Sequence, residues 1–328
     1  MNHYQSKLSK PTKEMVTTVW PKNHKLRLPK KLWLDYHEPE TMNYDGILNK
    51  IDEILPNHQK IVAFSGGKDS GVVLKKLLDK ELVERAFFIR TNIGSKITED
   101  FCIDTCKSYG IPIDIREPVP HAFIYIALCL ELGFPSYKTH GLLMRVLKYQ
   151  TMFKYVTEPQ FKKRKAVLMS GVRKYESERR KFNYNQPINV DSNKLWFCCP
   201  IFYETNEDVY RYYVESNLKK SPVYDWAGTS LECACGSFSA QRDLELVKKN
   251  DPELFKKIMW IKQGIEWFGH DYAKERSNWG NSKPESDDKI QQIMTKFLGE
   301  NVQHASDVSQ MVCGTECGAG TMRDVVDF

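Results

Sequence analysis

Short apolar runs, each followed by a polar junction and then by residues at helical spacing, recur along the first half of the chain. "MNYDGILNKIDEIL" (42–55) spaces Ile47, Ile51 and Ile54 as one helix face. "KIVAF" predicts a short buried strand, and 70–80 predicts a helix with Val72, Val73, Leu77 and Leu78 inward. "RAFFIR" (85–90) reads as the next strand, Thr91-Asn92 as its junction, and the stretch through Asp100 to Tyr109 as a helix. "IPIDIR" (111–116) is a third strand. A helical region follows around 121–157, and then "KAVLMS" (165–170) as a further strand. Apolar strands alternating with helices predict an α/β fold, a doubly wound and mainly parallel sheet with right-handed crossovers. In such sheets ligands bind at the carboxyl ends of the strands. "SGGKDS", "TNIG" and "GVRKYESERR" all fall there. From about residue 230 the texture changes to "ECACGSF", a helical stretch over 243–268, the polar "SNWGNSKPESDD", one more helix and a Gly/Cys tail. The expected organisation is an arm at 1–40, the sheet domain at 41–230 and a small helical, cysteine-containing C-terminal part at 231–328. No internal repeat is present.

The composition is that of a globular protein: 328 residues, 41% hydrophobic and 27% charged, long enough for a substantial core. No apolar run has the length of a membrane span and the N-terminus lacks a signal-peptide core, so the expectation is a soluble, cytoplasmic protein without a membrane partner. The net charge of +6 is uneven: residues 1–31 carry eight Lys/Arg against Glu14 alone, and the rest of the chain is close to neutral. Such a basic arm is either a solvated terminus or a phosphate-tracking segment for nucleic acid.

The junction Ser65-Gly66-Gly67-Lys68-Asp69-Ser70 carries the strongest chemical signal. A strand-to-helix turn leaves the first helical N–H groups unpaired, glycines let backbone approach a ligand, and the helix dipole favours an anion. Lys68 adds a point charge, and Ser65 and Ser70 add hydroxyls. The spacing is not that of a Walker A loop. The competing reading is a Gly-Gly turn with solvated charges. For "RKYESERR" (173–180), guanidinium forks suited to tetrahedral oxyanions compete with a plain charged helix.

"SGGKDS" resembles the PP-loop of the ATP-pyrophosphatase superfamily. "LMSGVRKYESERR" and "CCPIFYETNEDVYRYYVESNLKKSPVYDWAG" resemble segments of its phosphoadenylylsulfate (PAPS) reductase branch, with Tyr203 and Tyr210 where tryptophans are usual. The resemblance spans about 58–236. It implies a PP-loop (HUP-like) fold that binds ATP or an adenylyl sulfate such as PAPS, with Mg²⁺. Ser65, Gly66, Gly67, Lys68, Asp69 and Ser70 would hold phosphates, and Asn92 would lie near the adenosine. Arg173 and Arg180 would supply positive charge beside Gly171, and Glu176 would orient Arg173 or join a Mg²⁺ site. Lys68, Asp69, Arg173 and Arg180 are the catalytic candidates.

Three close cysteine pairs lie late in the chain: Cys198-Cys199, Cys233-Ala-Cys235 and Cys313-x-x-x-Cys317. Clustered cysteines in a cytosolic protein point to metal or redox chemistry, while Cys102, Cys106 and Cys129 read as small core residues. Cys198, Cys199, Cys233 and Cys235 would place four thiols beside the nucleotide, resembling iron–sulfur members of the superfamily. That arrangement implies a [4Fe–4S] cluster, with Zn²⁺ as the alternative and Cys313 and Cys317 as further ligands. Reduced thiols and a regulatory disulfide are the other readings. The C-terminal E-C-G-x-H motif of the reductases is absent, and the double-cysteine pair follows the G-x-R segment rather than preceding it.

Three functions are expected in turn. The first is a nucleotide-dependent enzyme of sulfur metabolism or sulfur transfer, releasing pyrophosphate where ATP is the substrate, with a sulfur donor or reductant protein as partner. The second is a thiol-dependent reductase of adenylyl sulfate. The third is a non-catalytic nucleotide- or nucleic-acid-binding module.

Overall fold

A seven-stranded sheet is built from β1 (Lys31–Leu32), β2 (Gln59–Ala63), β3 (Arg85–Ile89), β4 (Ile113–Arg116), β5 (Ala166–Met169), β6 (Ile188–Asp191) and β7 (Leu195–Cys198). The order across it is β1-β6-β7-β5-β2-β3-β4. This computed structural model describes residues 31–32, 42–119, 123–176, 186–191, 194–280, 284–286 and 288–292. The pairs β2·β3, β3·β4, β2·β5 and β5·β7 are parallel, whereas β6 runs antiparallel to β7 and to β1. The expected doubly wound, mainly parallel α/β fold is thus present, with one antiparallel strand near an edge. That edge includes Lys31–Leu32 from the segment expected to be an arm. The rest of 1–41 lies outside the described residues.

Strand periodicity divides the interior. Side chains alternate across a sheet with a period of two, so neighbours in sequence serve opposite faces. Val62, Val167 and Trp196 join one core with Ile47, Ile51 and Val73. Ile61, Leu168 and Phe197 join the other with Phe87, Met152 and Tyr155. Covered on both faces, the central strands carry continuous apolar runs, 61–63 in β2, 86–89 in β3 and Ala166–Met169 in β5, rather than alternating ones.

The first core is closed by α1 (Tyr44–Ile54), α2 (Lys68–Asp79), α3 (Lys96–Ser108) and, beyond β7, α7 (Asn206–Glu215). Asn43 starts α1 by accepting the Gly46 amide hydrogen at 2.8 Å, and Thr205 starts α7 with a capping box to Asp208. The long helical region expected over 121–157 is broken. It comprises α4 (Ile124–Leu132), a 3₁₀ turn (Tyr137–Thr139), α5 (His140–Met144), a π-helical turn (Arg145–Tyr149) and α6 (Gln150–Val156). Gly133 at φ +75 ends α4, a conformation that side chains resist.

A third core joins α4 and α5 to α8 (Tyr224–Ala227), α9 (Gln241–Asn250), α10 (Pro252–Phe268) and α11 (Asp271–Lys274). Asp251-Pro252 separates α9 from α10, and Asp251 caps α10 through the Leu254 amide at 3.0 Å. Residues on either side of position 230 therefore share one core, Leu128 and Val146 with Val247, Ile258 and Ile265. Each such aliphatic side chain contributes about 1.5–3 kcal/mol when fully buried. Among the described residues no helix is long and apolar enough to cross a membrane.

Candidate nucleotide-binding site

β2 lies at the middle of the sheet, with β3 and β4 on one side and β5 and β7 on the other. The chain order reverses between β2 and β5, so the loops leaving these two strands diverge and open a crevice. The first loop is Phe64-Ser65-Gly66-Gly67, which runs into α2 at Lys68. Gly66 has φ +77, and a Cβ there would lie 2.8 Å from the Thr98 methyl group. Gly67 occupies the cap position of α2 and brings no side chain to close its amides. The Lys68 N–H donates instead to the Tyr224 hydroxyl at 3.2 Å.

The serines fix the loop's shape. Ser70 Oγ donates to the Gly67 carbonyl at 3.1 Å, and the Ser65 amide donates to Ser70 Oγ at 3.3 Å. The two hydroxyls are 3.1 Å apart. The Lys68 ammonium has no ion-pair partner among the described residues. Loop, helix terminus and lysine together make a cradle whose chemistry suits an anion.

The loop leaving β5 packs straight onto this cradle. A Cβ on Gly171 would meet the Asp69 carbonyl carbon and the Ser70 nitrogen at 2.8 Å each, so only glycine fits. Two residues on, Arg173 is 1% exposed. Its Nε pairs with Asp69 Oδ1 at 3.2 Å, while its terminal nitrogens donate to the Glu204 carbonyl at 3.3 Å and to Asn206 Oδ1 at 2.7 Å. Arg173 was expected to present charge to a phosphate or sulfate. In the structure its guanidinium is committed to protein partners, which locks the two loops to the start of α7. Asp69 is likewise buried in that pair. Glu176 lies on the same loop, partly exposed. Arg180 lies outside the described residues.

The opposite wall comes from the loop after β3 and from residues 230–235. Asn92 sits in that loop at φ +62, a left-handed conformation that asparagine tolerates better than most residues. Gly94 touches the second segment: a Cβ would fall 2.1 Å from the Glu232 carbonyl oxygen. The segment is tied along its backbone. Thr91 Oγ1 donates to Glu232 O at 3.0 Å, Ser95 N to Leu231 O at 2.8 Å, and Ala234 N to Ile93 O at 2.8 Å.

Between the walls lies a cleft of about 530 Å³ including its open mouth, lined by Ser65, Ser70, Gly171, Lys148 and Glu232 with an apolar floor from β2 and β3. Lys148 and Glu232 form an ion pair in it, their side chains only 6% and 11% exposed. Lys148 is placed by the π-helical turn, a feature frequent at functional sites. Neither residue of this pair, nor Tyr224, was singled out from the sequence. A lysine within an apolar helical stretch and a glutamate before two cysteines were the signals available.

The four cysteines expected to converge do not. Cys198 and Cys199 are buried in the sheet core beside α1, and burial pushes the Cys198 thiol well above the usual range. Cys235 belongs to the helical core and Cys233 packs against it. Among the described residues no group of three or more His, Cys, Asp or Glu side chains is arranged to hold a metal ion. The arrangement does not fit a four-thiolate cluster or a tetrahedral zinc site. Cys313 and Cys317 lie outside the described residues.

The sequence profile of the phosphoadenosine phosphosulfate reductase domain matches residues 59–237. The chain belongs to this family. The match begins at β2 and ends just past Cys235, so the cradle, the β5 loop and the 230–235 wall all fall within the phosphoadenosine phosphosulfate reductase domain. Similar solved structures include the phosphoadenylyl-sulfate (PAPS) reductase of Candida auris, 16% identical over 56% of this chain and 84% of that one, with a TM-score of 0.41. FMN adenylyltransferase of Candida glabrata is 16% identical over 56% of this chain and 59% of its own, with a TM-score of 0.38. NH3-dependent NAD synthetase of Campylobacter jejuni is 16% identical over 69% of this chain and 94% of its own, with a TM-score of 0.36. No match is found among curated proteins.

Proposed function

We propose that the protein is an enzyme that binds an adenine nucleotide bearing a second anionic group, ATP or an adenylyl sulfate, and acts in sulfur metabolism or sulfur transfer. The observation that carries this reading is the open N-terminus of α2, with its Gly66-Gly67 approach and Lys68, at the crevice between β2 and β5. Membership of the phosphoadenosine phosphosulfate reductase domain family supports the ligand class.

In this reading the α2 amides and Lys68 hold the outer phosphates, and Ser65 and Ser70 shape the loop around them. The apolar floor formed by Phe87, Phe88 and Ile89 receives the base. With ATP, an acceptor oxygen attacks the α-phosphorus, the α–β bridging bond breaks, and pyrophosphate departs with its charge held by the cradle. Mg²⁺ would travel with the nucleotide's phosphates. Asp69 and Arg173 hold the geometry from behind rather than touching the nucleotide.

The test is equilibrium binding of ATP, adenylyl sulfate and PAPS to the full chain, followed by ATP–pyrophosphate exchange. Lys68→Ala is expected to weaken binding of the preferred nucleotide and lower exchange by about 10²-fold, the scale of losing one preorganised charge contact. Failure of all three nucleotides to bind would sink the reading. Wild-type exchange in Lys68→Ala would remove the cradle from it.

A further inference from the structure

Behind the cleft wall lies a second chemical cluster. Cys233 is partly exposed, whereas Cys235 is 5% exposed. The Cys235 sulfur is within hydrogen-bonding reach of the Cys233 and His140 side chains, and lies 3.4 Å from Ser237 Oγ. His140 is itself buried, its ring held edge-on by Phe238 at a centroid distance of 4.8 Å. The backbone between the thiols is tied down: Ala234 N donates to Ile93 O at 2.8 Å, Ala234 O accepts from Trp279 Nε1 at 2.9 Å, and Cys235 O accepts from the Tyr125 hydroxyl at 2.6 Å. Gly236, at φ +85, turns the chain against the Trp279 ring. The main chain is thus fixed around the Cys235 sulfur, which meets both the Cys233 side chain and the imidazole. Two thiols and a histidine do not complete a metal site, but a dithiol needs no further ligand.

We propose that Cys233 and Cys235 are a redox-active dithiol that closes to a Cys233–Cys235 disulfide by exchange with a partner disulfide, with His140 as the positioning residue for the Cys235 sulfur. Cys233 is the entry sulfur because it is the less buried of the two residues. Its thiolate attacks the partner R–S–S–R, a Cys233–S–S–R bond forms, and RS⁻ leaves and takes up the Cys233 proton. The Cys235 thiolate then attacks the Cys233 sulfur. The Cys233–Cys235 bond forms, and the second RS⁻ leaves and takes up the Cys235 proton. Two electrons have passed from the cysteine sulfurs to the partner, which ends as two R–SH.

The surroundings of Cys235 set how readily the closed disulfide opens again. The bond to Cys233 holds the Cys235 thiol well below the usual thiol range against the effect of burial, with His140 and Ser237 adding to it. A stabilised thiolate favours the reduced form, as in strongly oxidising dithiols. The closed disulfide is therefore readily reduced again. Cys129, in the same core, is pushed up by burial and stays a thiol.

The inference is independent of the nucleotide reading, and its test does not use nucleotide. The full-length protein is equilibrated without oxygen in graded mixtures of reduced and oxidised glutathione, acid-quenched, alkylated and digested for mass spectrometry. The expected result is a peptide carrying Cys233-Ala-Cys235 that loses two hydrogens and resists alkylation at both sulfurs. The transition should be a single two-electron one, fully reversed by excess dithiothreitol. A second arm replaces oxidised glutathione with oxidised thioredoxin. Faster closure with one probe than the other tells a small partner from a protein one. Full alkylation of both cysteines in the most oxidising mixture, or pairing of either with another cysteine, would overturn the proposal. His140→Asn is expected to raise the ratio of disulfide to dithiol at least threefold in a fixed mixture, because the leaving thiolate loses its partner. An unchanged ratio in a folded His140→Asn protein would remove His140 from the assignment.

Discussion

Asp69 and Arg173 face each other across the switch point of the sheet, with Nε 3.2 Å from Oδ1 and both side chains all but sealed from water. One belongs to the first turn of α2 and the other to the loop after β5, so the pair ties together the two loops whose separation makes the crevice. Removing one partner from such a pair strands the other as a buried charge. Arg173→Ala is therefore expected to destabilise the fold by about 3–5 kcal/mol, read as a lower urea midpoint. Asp69→Asn combined with Arg173→Met should cost less than the sum of the single changes. Additive losses would show that the two side chains do not act as a unit.

Gly171→Ala puts a methyl group against the Asp69–Ser70 peptide, a 2.8 Å approach to backbone that cannot rotate away. Overpacking of this kind costs about 1–3 kcal/mol. The strain falls on the cradle itself, so nucleotide affinity is expected to drop at least tenfold (about 1.4 kcal/mol). Calorimetric titration with ATP or adenylyl sulfate checks this. Unchanged affinity would mean that the β5 loop gives way instead of the cradle.

Tyr224 presents its hydroxyl to the Lys68 amide, at the point a phosphate held as proposed would reach. Tyr224→Phe removes one hydrogen bond of modest net worth, about 1 kcal/mol. Stability should change by no more than that, while phosphate affinity rises because the amide no longer has an internal acceptor. A fall in affinity would instead make the phenol a ligand contact in its own right.

His58 is buried at the start of β2, its Nδ1–H donating to Leu55 O at 2.6 Å, and burial lowers its affinity for a proton. The unfolded chain therefore takes up this proton first as the pH falls. The contribution of His58 to stability is complete above its unfolded value near 6.5 and is lost below it as the pH drops towards the folded value. The slope from this one site is bounded by one proton, about 1.4 kcal/mol per pH unit. Wild type should lose more stability than His58→Gln between pH 7 and 5, measured by urea denaturation at each pH. Parallel curves for the two proteins would exclude the site.

Cys198 sits in the sheet core with its thiol pushed up by burial. Iodoacetamide at pH 8 should leave it unmodified in the native protein and modify it in urea. Cys198→Ser should lower stability by about 1–3 kcal/mol, the cost of burying a hydroxyl without a partner, and leave the metal content of the purified protein unchanged. Loss of bound iron or zinc with this change would restore the four-cysteine centre.

The parallel core of the fold was legible because runs such as "IVAF" and "AVLM" are apolar throughout, as strands buried on both faces tend to be. β6 and β7 were harder to read, since "INVD" carries an asparagine and an aspartate and "LWFC" runs into the cysteine pair, which drew a chemical reading instead. The loop Ser65–Ser70 was legible because its chemistry is local: glycines, lysine and hydroxyls stand together in sequence. The role of Arg173 was not, because its partners Asp69 and Asn206 come from distant segments and only packing brings them near. The same limit hid Lys148 and Glu232, and let two cysteine pairs that are close in sequence be read as one centre. Proximity in sequence predicted the Cys233–Cys235 contact and failed for Cys198 and Cys233, which belong to different cores.

The wall at 230–235 has a consequence for where the molecule can be cut. Family resemblance stops at residue 237, yet Trp279, which anchors Ala234, and Asp251, which accepts from Ser95 Oγ at 2.6 Å, lie beyond it. A fragment trimmed to the family boundary keeps Glu232 but loses the braces that aim it. The recognisable domain is thus not a portable module, and its cleft is the joint property of the half that matches the family profile and the helical half that props it.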